Sequence, residues 1–157
     1  MVLKNELKKI VTDQNDSLLT RPHGIPREKL PDIKIEDRFA TIISGLRRSG
    51  KSTLVLQMMA GLKKYHYVNF EDSRISGFEV KDFHRLNEVL IDVNGPQKTY
   101  VFDEIQMVEG WETFVRNLLD DGHNAVITGS NASLLSRELG KKLTGRHISY
   151  ELFPFSY

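Results

Sequence analysis

The spacing of apolar residues changes several times along the chain, and each change marks an element. Leu3, Leu7, Ile10 and Val11 recur at helical spacing with Lys and Glu between them. That pattern predicts an amphipathic helix over residues 1–19, packed on its own domain. Residues 20–38 carry Pro22, Pro26 and Pro31 among many charges, which predicts an extended tether. From Arg38 the texture shifts. Phe39 to Ile43 is a short β-branched apolar run closed by Ser44-Gly45, hence a buried strand. Lys51 to Lys64 carries Leu54, Val55, Met58, Met59 and Leu62 on one helical stripe. Tyr65 to Phe70 reads as a second strand. Val80 to Val93 reads as a second helix of this region, ended by Asn94-Gly95-Pro96. Thr99 to Phe102 is a third strand, and Trp111 to Leu119 a helix with Trp111 in the core, stopped by Asp121-Gly122. Asn124 to Thr128, Ser133 to Leu143 and His147 to Leu152 then read as strand, helix and strand.

Short apolar strands alternating with helices predict an α/β fold with a parallel sheet covered on both faces. The chain has 157 residues, enough for one domain with its own core. It contains no Cys, which excludes disulfide scaffolds, thiolate nucleophiles and Cys-based zinc sites. The five His show no metal-ligand spacing. Twenty-two Lys+Arg against 21 Asp+Glu leave a charge of +1, so charge alone does not point to nucleic acid. Four cations (Arg137, Lys141, Lys142 and Arg146) form a modest basic stretch that reads as a solvated face. No apolar run is long enough for a membrane span, and the charged start does not suit a secretion signal. The expectation is a cytoplasmic protein.

The string GLRRSGKS, Gly45 to Ser52, matches G-x-x-x-x-G-K-[ST] and lies between a predicted strand and a predicted helix. Gly45 and Gly50 permit backbone conformations that a Cβ disfavours. Successive N–H groups from Gly45, Leu46, Arg47, Arg48, Ser49, Gly50, Lys51, Ser52 and Thr53 can then form an anion-holding concavity at the positive end of a helix. Lys51 is placed for the β/γ-phosphates, and the Ser52 hydroxyl is a hard oxygen ligand for Mg²⁺. Arg47 and Arg48 are not demanded by phosphate cradling; a solvated loop explains them, and they can also reach a nucleotide, a partner or a nucleic acid.

The third strand runs straight into Asp103-Glu104. A charge at the end of an apolar strand needs a reason. In P-loop hydrolases an Asp there holds Mg²⁺, and an adjacent acid can orient or deprotonate water. Asp103 is therefore the candidate metal-side acid and Glu104 the candidate base. The neighbouring Glu places the chain with ATPases of the additional-strand, catalytic-glutamate division. No guanine-reading Asn/Thr-Lys-x-Asp run is present, which favours ATP. Glu71-Asp72 falls at the same sheet edge and reads as a solvated turn.

IISGLRRSGKSTL, YVNFED, YVFDEIQMVEGWETFVRNLLDDG, VITGSNASLLSRELG and LTGRHISYELFPFSY occur in order. Together they resemble the AAA-type ATP-binding domain of archaeal and bacterial chains that continue into a C-terminal domain of unknown function. The resemblance covers roughly residues 38–157. It implies a three-layer P-loop NTPase with a five-stranded parallel sheet, preceded here by the N-terminal helix and Pro-rich extension of residues 1–37. It also implies a γ-phosphate sensor at Thr128 or Ser130, with the choice open. Arg146 matches an arginine that completes a neighbouring subunit's site, which would bring self-association; a helix-end cation is the equal alternative. The sequence stops where the family continues, which suggests a truncated chain whose turnover is weak.

The expected function is Mg·ATP binding and hydrolysis that drives conformational change in a larger ATPase. A nucleotide-dependent switch with little turnover is the alternative, and a small-molecule kinase a more distant one.

Overall fold

The computed structural model describes residues 2–20, 33–45, 51–62, 64–130, 142–143 and 145–152, with the side chains of 20, 51, 52 and 152 outside that description. Helix α1 spans Lys4–Thr20 and strand β1 Ala40–Gly45. Then come α2 (Lys51–Ala60), β2 (His66–Asn69), α3 (Phe83–Asn94), β3 (Thr99–Asp103), α4 (Trp111–Asp120), β4 (Asn124–Gly129) and β5 (His147–Leu152). Single 3-10 turns occupy Ser73–Ile75, Val80–Asp82 and Ile105–Met107.

The strands form one sheet in the order β2-β3-β4-β1-β5. Every pairing is parallel. The five-stranded parallel sheet is thus as the alternation of elements anticipated, and β4 is the extra strand between β1 and β3. Strands β1, β3 and β4 are buried along their whole length. Interior parallel strands are covered on both faces, so they read as unbroken apolar runs in the sequence.

Side chains alternate between two cores, as the period of a strand requires. Ala40, Ile42, Val68, Tyr100, Phe102, Ala125 and Ile127 face one side, where α1, α3 and α4 bury Leu7, Ile10, Leu86, Leu90, Val115 and Leu119. Ile43, Tyr67, Val101 and Val126 face the other, under Leu54, Val55 and Met59 of α2. Trp111 lies in the first core, as its stripe predicted. Phe83 stacks on Phe114 with ring centroids 4.3 Å apart and meets Phe78 edge-on at 5.1 Å, the offset geometries that aromatic quadrupoles favour.

Helix α1 packs on α3 and on the edge strand β2. Its early residues enter the first core, whereas Leu18 near its end joins the second. Gln14 bonds the last residue of β2 as a neighbouring strand would: its Nε2 donates to Asn69 O at 3.1 Å, and its Oε1 accepts from Asn69 N at 2.9 Å. An edge strand otherwise presents such groups unpaired.

Most boundaries differ from the sequence expectation by a few residues: α1 runs Lys4–Thr20 where 1–19 was expected, β1 Ala40–Gly45 where 39–43 was, and β3 and β4 each extend one residue further. Helix α2 ends at Ala60, where Gly61 N and Leu62 N tighten onto Met58 O and Met59 O. Strand β2 is trimmed by one residue at each end. The helix expected from Val80 begins instead as a 3-10 turn, because Glu79 and Asp82 form a reciprocal capping box there. The prolines of the tether (Pro22, Pro26 and Pro31) and most of the helix expected over 133–143 lie outside the described residues. No described helix is long and apolar enough to cross a membrane.

Candidate functional site

In a parallel sheet all strands finish on one edge, and the register fixes what meets there. Phe102 pairs with Ile127, which sets Asp103 level with Thr128. Ser44 pairs with Gly129, which sets Gly45 level with Ser130. Gly45 ends β1 and Lys51 opens α2, so the strand expected before GLRRSGKS and the helix expected after it are both present. Leu46, Arg47, Arg48, Ser49 and Gly50 lie outside the described residues, as do the side chains of Lys51 and Ser52. Thr53 is half-buried in the first turn of α2. Gly45, Asp103, Glu104, Thr128 and Ser130 are thus gathered on the carboxyl edge.

Asp103 and Glu104 are buried, with 3% and 9% of their surface exposed. Polar neighbours hold both carboxylates. The Thr128 hydroxyl donates to Asp103 Oδ1 and accepts from the Glu104 backbone N–H at 2.9 Å. The Tyr67 hydroxyl donates to Asp103 Oδ2 at 3.1 Å. Ser130 Oγ lies 2.9 and 3.1 Å from the two Glu104 carboxylate oxygens, and Gln106 Nε2 donates to Oε2 at 2.6 Å.

Glu104 adopts a left-handed backbone conformation, φ 56° and ψ 46°. Residues with a Cβ enter that region at a cost, and such costs collect at functional sites. The turn swings the chain from β3 into the 3-10 turn that carries Gln106, which returns its amide to Glu104.

Thr128 and Ser130 differ in access. Thr128 is fully buried beneath the two acids, whereas Ser130 is half-buried at the surface of the edge. Arg146 does not join this constellation. Its carbonyl accepts from Ala40 N at 3.0 Å, which sets it at the amino edge where β1 begins, and its Nη2 lies 2.7 Å from Asp120 Oδ1. Asp72 is more than a solvated turn residue. It caps the turn after β2 and accepts two bonds from the Arg74 guanidinium, which holds its carboxyl down at about 2.

Tyr67, Gln106 and Gln14 were not legible as site residues. Tyr67 occupies a core position of a strand, and a tyrosine there signals only that its hydroxyl needs a partner. Gln106 had one weak signal, a polar residue just past the two acids and beside buried Ile105.

A family model described as an AAA domain matches residues 37–157. The chain belongs to that family. Two curated relatives are uncharacterized proteins. One, from Methanocaldococcus jannaschii, is 34% identical over 128 residues, covering 80% of this chain and 29% of that protein. The other, from Haemophilus influenzae, is 37% identical over 128 residues, covering 76% of this chain and 32% of that protein. The chain therefore spans less than a third of either relative's length. Among solved structures, the ORC1 protein of Aeropyrum pernix in complex with DNA shares the fold. The TM-score is 0.53 at 12% identity, covering 88% of this chain and 49% of that one. The AAA domain of this chain is thus ATPase-like in family and fold.

Proposed function

We propose that the carboxyl edge of this AAA domain binds Mg·ATP and hydrolyses its β–γ phosphoanhydride. One observation carries the reading. Two adjacent buried acids, each held by hydroxyl or amide donors, stand on the sheet edge where β1 ends at Gly45, the first residue of GLRRSGKS, with α2 opening at Lys51. In this reading the backbone N–H groups of residues 45–53 cradle the phosphates and Lys51 meets the β/γ oxygens. A Mg²⁺ ion supplies charge neutralisation on the transferred phosphoryl group. Asp103 and the Ser52 hydroxyl are the hard oxygen donors for it. A Mg²⁺ site shared with substrate phosphates needs only one or two protein carboxylates, and Asp103 fits that donor set.

Glu104 is the base. Its carboxylate accepts a proton from the attacking water as the water oxygen bonds to Pγ and the bond from Pγ to the bridging oxygen breaks towards ADP. Ser130 is assigned as the γ-phosphate sensor, because it touches Glu104 and keeps surface access, whereas the Thr128 hydroxyl is committed to the acids from below. Arg146 lies at the opposite edge, so any role at a nucleotide is played in a neighbouring copy. In the longer protein the energy of turnover would drive conformational change.

The decisive experiment measures phosphate release and nucleotide binding together. Phosphate released without an acceptor, abolished in Glu104→Gln while ATP binding persists, supports hydrolysis. Binding without release makes the domain a switch. Lys51→Ala should weaken binding in either case. Mixing Arg146→Ala with Glu104→Gln subunits restores activity only if Arg146 acts in trans.

A further inference from the structure

The acid of β3 is clamped from both neighbouring strands. Thr128 on β4 holds one carboxylate oxygen of Asp103, and Tyr67 on β2 holds the other. We propose that Tyr67 is a positioning residue for Asp103, and that helix α1, which lies before the segment matched to the AAA family, keeps it in place through Gln14. The inference rests on the reading of Asp103 as the metal-side acid and adds the strand and helix that aim it.

Tyr67 is buried on the α2 face with Val101, Ile43 and Val126. A phenylalanine would fill the same apolar space. The hydroxyl adds a bond to Asp103 Oδ2 at 3.1 Å. The register pairs Tyr67 with Val101 and Asn69 with Asp103, so the ring leans along the strand to reach an acid two positions further on. With a donor on each oxygen, the carboxylate plane is fixed.

Strand β2 is a poor anchor by itself. It is four residues long and lies at the sheet edge. Helix α1 supplies what the edge lacks. The Gln14 amide binds both backbone groups of Asn69, and its Nε2 also lies 3.2 Å from Asp72 Oδ2. Leu18 joins the apolar cluster that holds Tyr67. Arg74 bridges Asp72 to Asp13 of α1, at 2.6 Å from the latter. A continuous set of contacts therefore runs from α1 through the end of β2 to the acid.

The test is a Mg²⁺ titration of ATP turnover and of ATP binding by calorimetry, with binding repeated in EDTA. Tyr67→Phe should raise the Mg²⁺ needed for half-maximal effect about three- to tenfold, the net worth of one ordinary hydrogen bond. Affinity measured in EDTA should stay near that of the unaltered protein. Gln14→Ala should shift the same midpoint in the same direction by a smaller factor. Lys4→Ala removes exposed ion pairs between α1 and Glu88 and Asp92, and should leave the Mg²⁺ midpoint alone. An unchanged midpoint in a folded Tyr67→Phe protein overturns the inference. If that variant fails to fold, Gln14→Ala decides: a shifted midpoint supports the inference and an unshifted one overturns it. Should Lys4→Ala shift the midpoint as much as Gln14→Ala, the effect is general loosening of α1 and the inference falls. Unaltered protein that ignores Mg·ATP removes the functional reading itself, and this inference with it.

Discussion

The two edges of the sheet treat acids in opposite ways. At the amino edge, where strands begin, acids face bases near the surface. Asp37 meets Lys98, which holds its carboxyl below the ordinary range, and Asp120 meets Arg146. Water shares these charges, so the pairs matter little to stability and can be exchanged. At the carboxyl edge, Asp103 and Glu104 are buried and held by Thr128, Tyr67, Ser130 and Gln106. Among the described residues the partners at the two edges thus differ: cations at the amino edge, hydroxyl and amide donors at the carboxyl edge.

Four measurements press on that contrast. The largest effect belongs to Glu104→Gln, which keeps the shape and removes the base. Phosphate release should fall by about 10²–10⁴-fold while ATP binding is retained. Turnover that survives the change would mean the carboxyl edge is no more reactive than the amino one.

Next comes the pH dependence of a group that opens β2 on the amino edge. His66 is fully buried, and burial holds its imidazole down at about 4. Asn94 Nδ2 lies 3.2 Å from His66 Nδ1, and Asn15 Nδ2 lies 3.0 Å from Asn94 Oδ1. With Asn94 donating to Nδ1, the proton sits on Nε2, which is buried without a hydrogen-bond partner among the described residues. The folded state therefore resists protonation that the unfolded chain accepts near pH 6.5. Stability from this residue is complete above about pH 6.5 and drains away as pH falls through 4, by up to about 3 kcal/mol. Urea denaturation at several pH values should show that slope in the unaltered protein and a flatter one in His66→Asn.

Thr128→Val is isosteric and leaves an Asp103 oxygen and the Glu104 N–H without the bonds Thr128 supplies. It should cost about 1–3 kcal/mol in urea denaturation and also slow phosphate release. A stability loss without a kinetic one would make Thr128 a core residue and nothing more. The smallest effect should be Asp120→Ala at the amino edge, below about 1 kcal/mol in the same denaturation assay.

The alternation of strand and helix was readable because parallel strands and amphipathic helices leave different periods in the sequence. Asp103-Glu104 was readable because a charge after an apolar strand is conspicuous. The 3-10 start at Val80–Asp82 was not, since the capping box at Glu79 and Asp82 competes with a helical pattern that continues through it. Gln14 lies 55 positions from Asn69, and nothing local in either segment announces that pairing. Tyr67 was hidden by its own suitability for a core. For Leu46 to Gly50 the string itself remains the ground for the assignment.

The left-handed turn at Glu104 sets two selective pressures against each other. Glycine or asparagine would occupy that backbone geometry at lower cost, by about 1 kcal/mol or more for glycine before unfolded-chain entropy is counted. A screen for heat resistance alone should therefore drift towards those residues at position 104, and on the proposed role of Glu104 the proteins it keeps would be sturdier and inert.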